Sequence, residues 1–267
     1  MRIVRAEQER GKVCWAVVDG ETVRHLQRSP FDGEVLPQEP LGELREMKLL
    51  PPTRPTKIVC VGRNYRAHAA EHGAEVPTEP LLFLKPPSSV IGHRENIRLP
   101  ALSDHVEHEA ELALVIGRRC RRVAADDAWE NVFGVTCAND VTARDLQRSD
   151  SQWTRGKGFD TFCPIGPWIE TGLTREDVGG LGICCRVNGE KRQESNTASM
   201  VFSPSQLISY ITQVMTLDPG DLILTGTPSG VSPLKTGDEV EVEIDRIGTL
   251  RNPVADDRFW NGGNPGK

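Results

Sequence analysis

The stretch His108-Glu109-Ala110-Glu111-Leu112-Ala113-Leu114-Val115-Ile116 opens on two carboxylates and closes as an unbroken apolar run. Read as a strand, it puts Glu109 and Glu111 on one face, while its continuation is apolar on both faces, the pattern of a strand covered on both sides. Two like charges entering a core are costly unless they are protonated or neutralised by a cation. A bound metal resolves that conflict. The competing reading is a strand that begins in solvent, with both carboxylates wet.

Downstream, Val132-Phe-Gly-Val-Thr-Cys-Ala-Asn139-Asp140 is an apolar strand ending in an acid. Asp140 is a candidate third oxygen donor, or else a turn residue or helix cap. Three carboxylates make a hard, all-oxygen set that suits Mg²⁺ or Mn²⁺ and accommodates Ca²⁺. Zinc fits less well, because His105 and His108 do not form a His-Glu-x-x-His pattern and the cysteines lack zinc spacing. Those two histidines read as structural or supporting residues.

Upstream, Val61-Gly62-Arg63-Asn64-Tyr65-Arg66-Ala67-His68-Ala69-Ala70-Glu71 reads as strand, glycine turn and helix start. At spacing i, i+3, His68 and Glu71 share a helix face, and a carboxylate beside an imidazole orients it and raises its basicity. Such a pair activates water, unless it is an ordinary surface pair. In Arg155-Gly156-Lys157-Gly158-Phe159-Asp160 a lysine sits between glycines, without phosphate-loop spacing; it approaches a substrate oxyanion or is simply solvated. Thr225-Gly226-Thr227-Pro228-Ser229-Gly230 follows a strand and offers a hydroxyl and backbone amides to a carboxylate, or is a plain turn.

Most remaining signals are short strands, so the chain reads as mainly β with some α. Lys12 to Val18 and Glu21 to Leu26 form a hairpin about Asp19-Gly20, within a small N-terminal β unit over residues 1–50. Leu49-Leu50-Pro51-Pro52-Thr53-Arg54-Pro55 is too proline-rich for regular structure and serves as the linker. Strands are expected at Ile58 to Val61, Glu111 to Ile116, Val132 to Ala138, Ile183 to Val187, Leu222 to Leu224 and Glu239 to Ile244, with a hairpin turn at Asn188-Gly189. One helix is well signalled: Ser203 as N-cap, Pro204 next, and Leu207, Ile208, Ile211, Val214 and Met215 on one face. Residues 255–267 bury little beyond Phe259 and Trp260 and read as a flexible tail.

Composition narrows the function. The chain has 267 residues with 32 basic against 38 acidic side chains, a net charge of −6, which opposes a nucleic-acid partner. Its longest apolar stretches, Val13 to Val18 and Leu112 to Ile116, fall far short of the roughly 18–20 residues of a membrane span. Seven cysteines without paired spacing read as reduced thiols, and the charged start Met1-Arg2-Ile3-Val4-Arg5-Ala6-Glu7 is unlike a secretory signal; both imply a cytoplasmic location.

Taken in order, Gly62-Arg-Asn-Tyr-Arg-Ala-His68, Phe83-Leu-Lys-Pro86, His108-Glu-Ala-Glu111, Asn139-Asp-Val-Thr-Ala-Arg-Asp-Leu-Gln147, Lys157-Gly-Phe-Asp160 and Leu224-Thr-Gly-Thr-Pro-Ser-Gly230 resemble the fumarylacetoacetate hydrolase family. The resemblance implies a mixed β-sandwich roll, a catalytic domain over residues 56–254 and a homodimer. It carries a metal-ligand role onto Glu109, Glu111 and Asp140, and a catalytic dyad onto His68 and Glu71. Lys157 is placed at the developing oxyanion, and Arg144, Gln147 and Thr227 at positions that contact substrate. The N-terminal unit is similar to that of bacterial members described as isomerases of catechol-degradation intermediates. The leading expectation is a Mg²⁺- or Mn²⁺-dependent hydrolase that cleaves a carbon–carbon bond in an acylpyruvate-type 2,4-dioxo acid through a stabilised enolate. The alternative is a 2-hydroxyhepta-2,4-diene-1,7-dioate isomerase or an oxaloacetate decarboxylase, since the same electron sink serves all three outcomes.

Overall fold

The computed structural model describes residues 1–8, 11–71 and 73–257. The strand that decides the architecture, Ala110–Ile116, is buried at every position. Leu112, Leu114 and Ile116 enter one apolar cluster with Ile183, Val242 and Ile208, whereas Ala113 and Val115 enter another with Ile58, Cys60 and Leu222. Alternation along one extended strand thus feeds two cores, as period two requires.

Among the described residues the main sheet runs in the order Pro37–Glu43, Thr22–Leu26, Val13–Asp19, Arg2–Glu7, Cys163–Glu170, Val132–Asn139, Ala110–Ile116, Leu222–Leu224, Ile58–Gly62 and Leu81–Lys85. Leu222–Leu224 and Ile58–Gly62 pair in parallel and the other neighbours on this path are antiparallel, so the sheet is mixed. A second sheet, in the order Glu190–Asn196, Gly182–Val187, Glu239–Ile244, Gly248–Asp256 and Ile97–Leu99, lies against it. Glu239–Ile244 alternates as its sequence requires: Val240, Val242 and Ile244 are buried, and Glu241 and Glu243 pair with Arg251 and Arg186. The fold is therefore the mainly β, mixed-sheet roll expected from the resemblance.

The N-terminal strands continue the main sheet: Arg2 and Ile3 pair with Glu170 and Ile169, and Ile3, Val17 and Leu26 share a core with Ile58 and Ala113. In the first hairpin Asp19 pairs with Thr22, so the turn residues are Gly20 and Glu21, with Gly20 at φ +60°, rather than Asp19 and Gly20. Leu49 and Leu50 are not linker but part of Lys48–Leu50, a short strand paired with Arg5–Glu7; irregular chain starts at Pro51. The last strand runs through Ala255 and Asp256, and the rest of the expected tail, from Arg258 and including Phe259 and Trp260, lies outside the described residues. No helix among the described residues is long and apolar enough to cross a membrane.

The helix Pro204–Val214 starts as its sequence dictates, with Ser203 and Gln206 forming a reciprocal capping box and Pro204 in the first turn. Its buried stripe is Leu207, Ile208 and Ile211, extended by Ser205 and Thr212. Val214 is 63% exposed. At about 100° per residue it stands only about 20° from Leu207, so it keeps the expected face, and its exposure goes with its place as the last residue of the helix.

His93 is half-buried beside the second sheet, where its Nδ1 accepts the Arg251 backbone N–H at 3.1 Å. Burial, with Arg94 and Arg251 nearby, pushes its pKa from 6.5 down to about 4. The unfolded chain takes up this proton first, so the stability present above pH 6.5 is lost as pH falls toward 4. Denaturant melts across that window should show a shallower loss for His93→Gln than for the parent. At neutral pH, Ser203→Ala should cost about 1 kcal/mol and Ile208→Ala about 2–5 kcal/mol by the same measurement, while Val214→Ala stays within about 0.5 kcal/mol.

Candidate active site and metal centre

Glu111 lies on Ala110–Ile116, Glu109 just precedes that strand, and Asp140 just follows its antiparallel neighbour Val132–Asn139. The Asp140 N–H donates to the Glu109 carbonyl at 2.8 Å, and Asn139 Oδ1 accepts the Glu109 N–H at 2.9 Å, which locks the two strand ends together. One carboxylate oxygen from each of Glu109, Glu111 and Asp140 lies within 4.8 Å of the others, and all three residues are buried.

Three cations stand among these acids. Lys157 Nζ donates to Glu109 Oε2 at 2.8 Å and to Asp140 Oδ2 at 2.7 Å. Lys85 Nζ donates to the other Asp140 oxygen at 2.6 Å. Arg144 donates from Nη2 to Glu109 at 2.6 Å, from Nε to Glu107 at 2.7 Å and from Nη1 to Gln147 at 2.6 Å. Four buried carboxylates, Glu107, Glu109, Glu111 and Asp140, thus face three buried cations, and one negative charge is left over.

The excess falls on Glu111. Its partner is a backbone N–H, that of Gly226 at 2.6 Å. Burial, then the charges of Asp140 and Glu109, raise its pKa far above the carboxylate range. Burial also acts to raise Glu109, but Lys157, Arg144 and His68 outweigh it and hold that carboxyl well below its ordinary value. Lys157 shows the mirror image: burial lowers its pKa, and Asp140 and Glu109 more than restore it. A buried acid with no cation of its own, beside two others in a hard oxygen-donor set, fits a divalent cation held by Glu109, Glu111 and Asp140.

The dyad approaches from another element. The short helix Arg66–Glu71 brings His68 Nδ1 to 3.2 Å from Glu71 Oε2, and the Gly230 N–H holds the other Glu71 oxygen at 2.9 Å. The segment 225–230 thus binds both halves of the site, since Gly226 serves Glu111 and Gly230 serves Glu71. Glycine is required at position 226: φ is +98°, and a Cβ would meet the Asn64 Cβ at 2.7 Å. Thr227 donates its hydroxyl to the Ala110 carbonyl at 2.8 Å and accepts from Gln193 Nε2 at 2.8 Å.

All nine residues expected from the sequence, His68, Glu71, Glu109, Glu111, Asp140, Arg144, Gln147, Lys157 and Thr227, line one cavity of about 560 Å³. Three are already engaged within the protein: Arg144 by Glu107, Glu109 and Gln147, Thr227 by backbone and Gln193, and Lys157 by Glu109 and Asp140. His108 turns away to Gln193 and Ser232, and His105 pairs with Glu107. Sequence reasoning missed Lys85, Glu107 and Gln193, and the wall residues Arg63, Arg148 and Trp153. The signal for Lys85 was present: a lone cation closes the apolar run Leu81-Leu-Phe-Leu.

The Fumarylacetoacetate (FAA) hydrolase C-terminal family model matches residues 57–255. The chain belongs to the fumarylacetoacetate hydrolase family. Within that family, residues 1–52 match the Rv2993c-like, N-terminal model. The chain is 46% identical to Protein Rv2993c of Mycobacterium tuberculosis over 263 residues, covering 95% of this chain and 98% of the relative. It is 50% identical to the mitochondrial oxaloacetate tautomerase FAHD2A of Bos taurus over 215 residues, 77% of this chain and 68% of the relative. The crystal structure of 2-hydroxyhepta-2,4-diene-1,7-dioate isomerase from Mycobacterium marinum superposes with a TM-score of 0.88 at 43% identity, covering 96% of this chain and 98% of that one. Its relatives carry tautomerase, isomerase and hydrolase names.

Two outcomes follow from the charge balance. Mg²⁺ or Mn²⁺ at about 100 times its dissociation constant should stabilise the parent by about 2.7 kcal/mol, measured by thermal melts against a chelated control, and should leave Glu111→Gln unmoved. Lys85→Met strands part of the Asp140 charge and should cost about 3–5 kcal/mol in denaturant melts.

Proposed function

We propose that this enzyme moves a proton at C3 of a dicarboxylic 2-oxo acid, interconverting keto and enol or dienol forms. The supporting observation is the distribution of charge around the cavity. The acid triad and Lys157 lie at its base, and Arg63 and the exposed Arg148 are additional cations in its wall, unpaired by any carboxylate among the described residues. Arg63 is itself braced on the Trp153 ring, at 5.9 Å. A substrate with a second carboxylate uses those arginines, whereas a neutral acyl tail does not. The names of the relatives, oxaloacetate tautomerase and heptadienedioate isomerase, describe that substrate class.

Glu109, Glu111 and Asp140 would hold a divalent ion, whose Lewis acidity acidifies the C3 hydrogens of a bound 2-oxo acid. Glu71 orients the imidazole of His68 through its Nδ1, at 3.2 Å, and raises its basicity, so His68 is the group placed to take up the C3 proton and return it. Lys157 sets a fixed positive charge beside the oxygen on which negative charge develops, with no reorganisation needed during the step. Gln147, positioned by Arg144, offers a neutral hydrogen bond in the wall.

A second reading is hydrolysis of an acylpyruvate-type 2,4-dioxo acid, favoured by the His68–Glu71 pair, which suits activation of water as well as removal of a proton. Turnover of enol-oxaloacetate, a hydroxyheptadienedioate and acetylpyruvate, each with Mg²⁺, with Mn²⁺ and after chelation, separates the two. Proton transfer predicts the larger kcat/KM on the first two substrates and deuterium exchange at C3 without cleavage; dominant release of pyruvate from acetylpyruvate overturns it in favour of hydrolysis. His68→Ala should lower the rate by about 10²–10⁴-fold in either case. By the same family resemblance we propose a homodimer, which sedimentation equilibrium reads directly.

A further inference from the structure

A second cavity, of about 820 Å³, opens where the N-terminal strands meet the body of the molecule, and it shares no lining residue with the acid-triad cavity. Arg5 and Val13 come from the N-terminal strands, Leu50 and Arg54 from the segment that follows, and Val90 and Ile91 from the body. Arg5 is 6% exposed. One of its nitrogens, Nη1, donates to the Pro51 carbonyl at 2.9 Å, and the guanidinium stands 5.5 Å from the Trp15 ring centroid.

What sets Arg5 apart is its lack of an anion. Lys85, Arg144 and Lys157, equally buried, each contact a carboxylate. Among the described residues no carboxylate pairs with Arg5, and the charge that acts on it is a second cation, Arg54. The two acids that line the cavity are engaged elsewhere: Glu7 pairs with Lys48 at 2.6 Å, and Glu95 accepts the Gly92 N–H. Burial and Arg54 together push the Arg5 pKa down to about 10, the expected response of a guanidinium held without a counter-charge. A buried cation persists when it is paired, and this cavity sets charged groups, Arg5, Arg54 and Lys48 among them, beside an apolar strip of Val13, Leu50, Val90 and Ile91, the mixed lining of a site for a small amphipathic molecule.

We propose that this cavity is a second binding site, for a small organic anion whose carboxylate or phosphate head pairs with Arg5 and Arg54 while its apolar body lies against Val13, Leu50, Val90 and Ile91. The site lies between the N-terminal strands and the body, so an occupant ties the Arg2–Glu7 strand to the Val90–Ile91 strand, which itself pairs with Cys163–Glu170. It is independent of the reaction assigned to the acid triad.

Calorimetric titration of the full chain with hexanoate, hexyl phosphate, 1-hexanol and inorganic phosphate tests the assignment. Saturable binding of one equivalent of hexanoate or hexyl phosphate, at least tenfold tighter than hexanol and than inorganic phosphate, is expected. The tighter of the two names the head group. That binding should survive Glu111→Gln, which separates it from the acid-triad site, and should weaken at least tenfold in Arg54→Ala, an exposed position whose loss leaves the core intact. Arg5→Gln should abolish it. Absence of saturable binding, equal affinity for hexanol, insensitivity to Arg54→Ala, or loss in Glu111→Gln would each overturn the proposal.

Discussion

Everything in the centre of this protein depends on one electrostatic constraint: three buried carboxylates converge at the wall of one cavity, and their negative charge must be answered within a few ångströms. Lys157, Lys85 and Arg144 answer most of it through charge-assisted contacts of 2.6–2.8 Å. Such contacts hold the acids in place because removing a single partner would leave a buried charge unanswered. Glu111 is the exception, held by an amide N–H rather than by a cation. The site is thus built with one acid short of a counter-charge, and that shortfall is what makes it receptive to a positive guest. The same logic, with the sign reversed, operates at Arg5.

The fold supplies this arrangement cheaply. Two adjacent antiparallel strands end side by side, so carboxylates separated by some 30 positions in the chain need only the pairing of Ala110 with Asn139 to meet. The dyad comes from a different part of the sheet, the helix after Ile58–Gly62, and segment 225–230 fastens it to the acids. Because both attachments are backbone N–H groups of glycines, the spacing between base and acids is fixed by main-chain geometry rather than by flexible side chains.

Glu109 and Glu111 were half legible, because period two and an apolar continuation betray a charge that enters a core, while Asp140 and the choice against a wet strand end came from the family resemblance. The His68–Glu71 pair was legible because helical spacing brings i and i+3 together. Lys85 carried a signal that did not decide, because a lysine closing an apolar run reads equally as a solvated strand end; only the path of the Leu81–Lys85 strand along the sheet carries it to Asp140. Arg144 and Thr227 were read as facing substrate, since sequence does not reveal that buried neighbours already occupy their donors. The strand Cys163–Glu170 went unread for a physical reason: Pro164 and Pro167 lack N–H groups, and a proline-bearing segment argues against a central strand. The sheet accommodates it with a register irregularity between Val135 and Cys137. Arg2–Glu7, with its alternating charges, gives no local sign that its partner lies at Ile169 and Glu170.

That last pairing bears on how the molecule is assembled during synthesis. The Arg2–Glu7 strand is made before its partner, since the main-chain groups that complete its inner edge belong to residues made more than 160 positions later. Until then the nascent chain displays an open β edge, which natural sheets otherwise shield. Polysomes translating this message bring many such edges close together. The charges at Arg2, Arg5 and Glu7 suit an edge that waits for its partner, because charge on an unpaired strand disfavours pairing with a second copy.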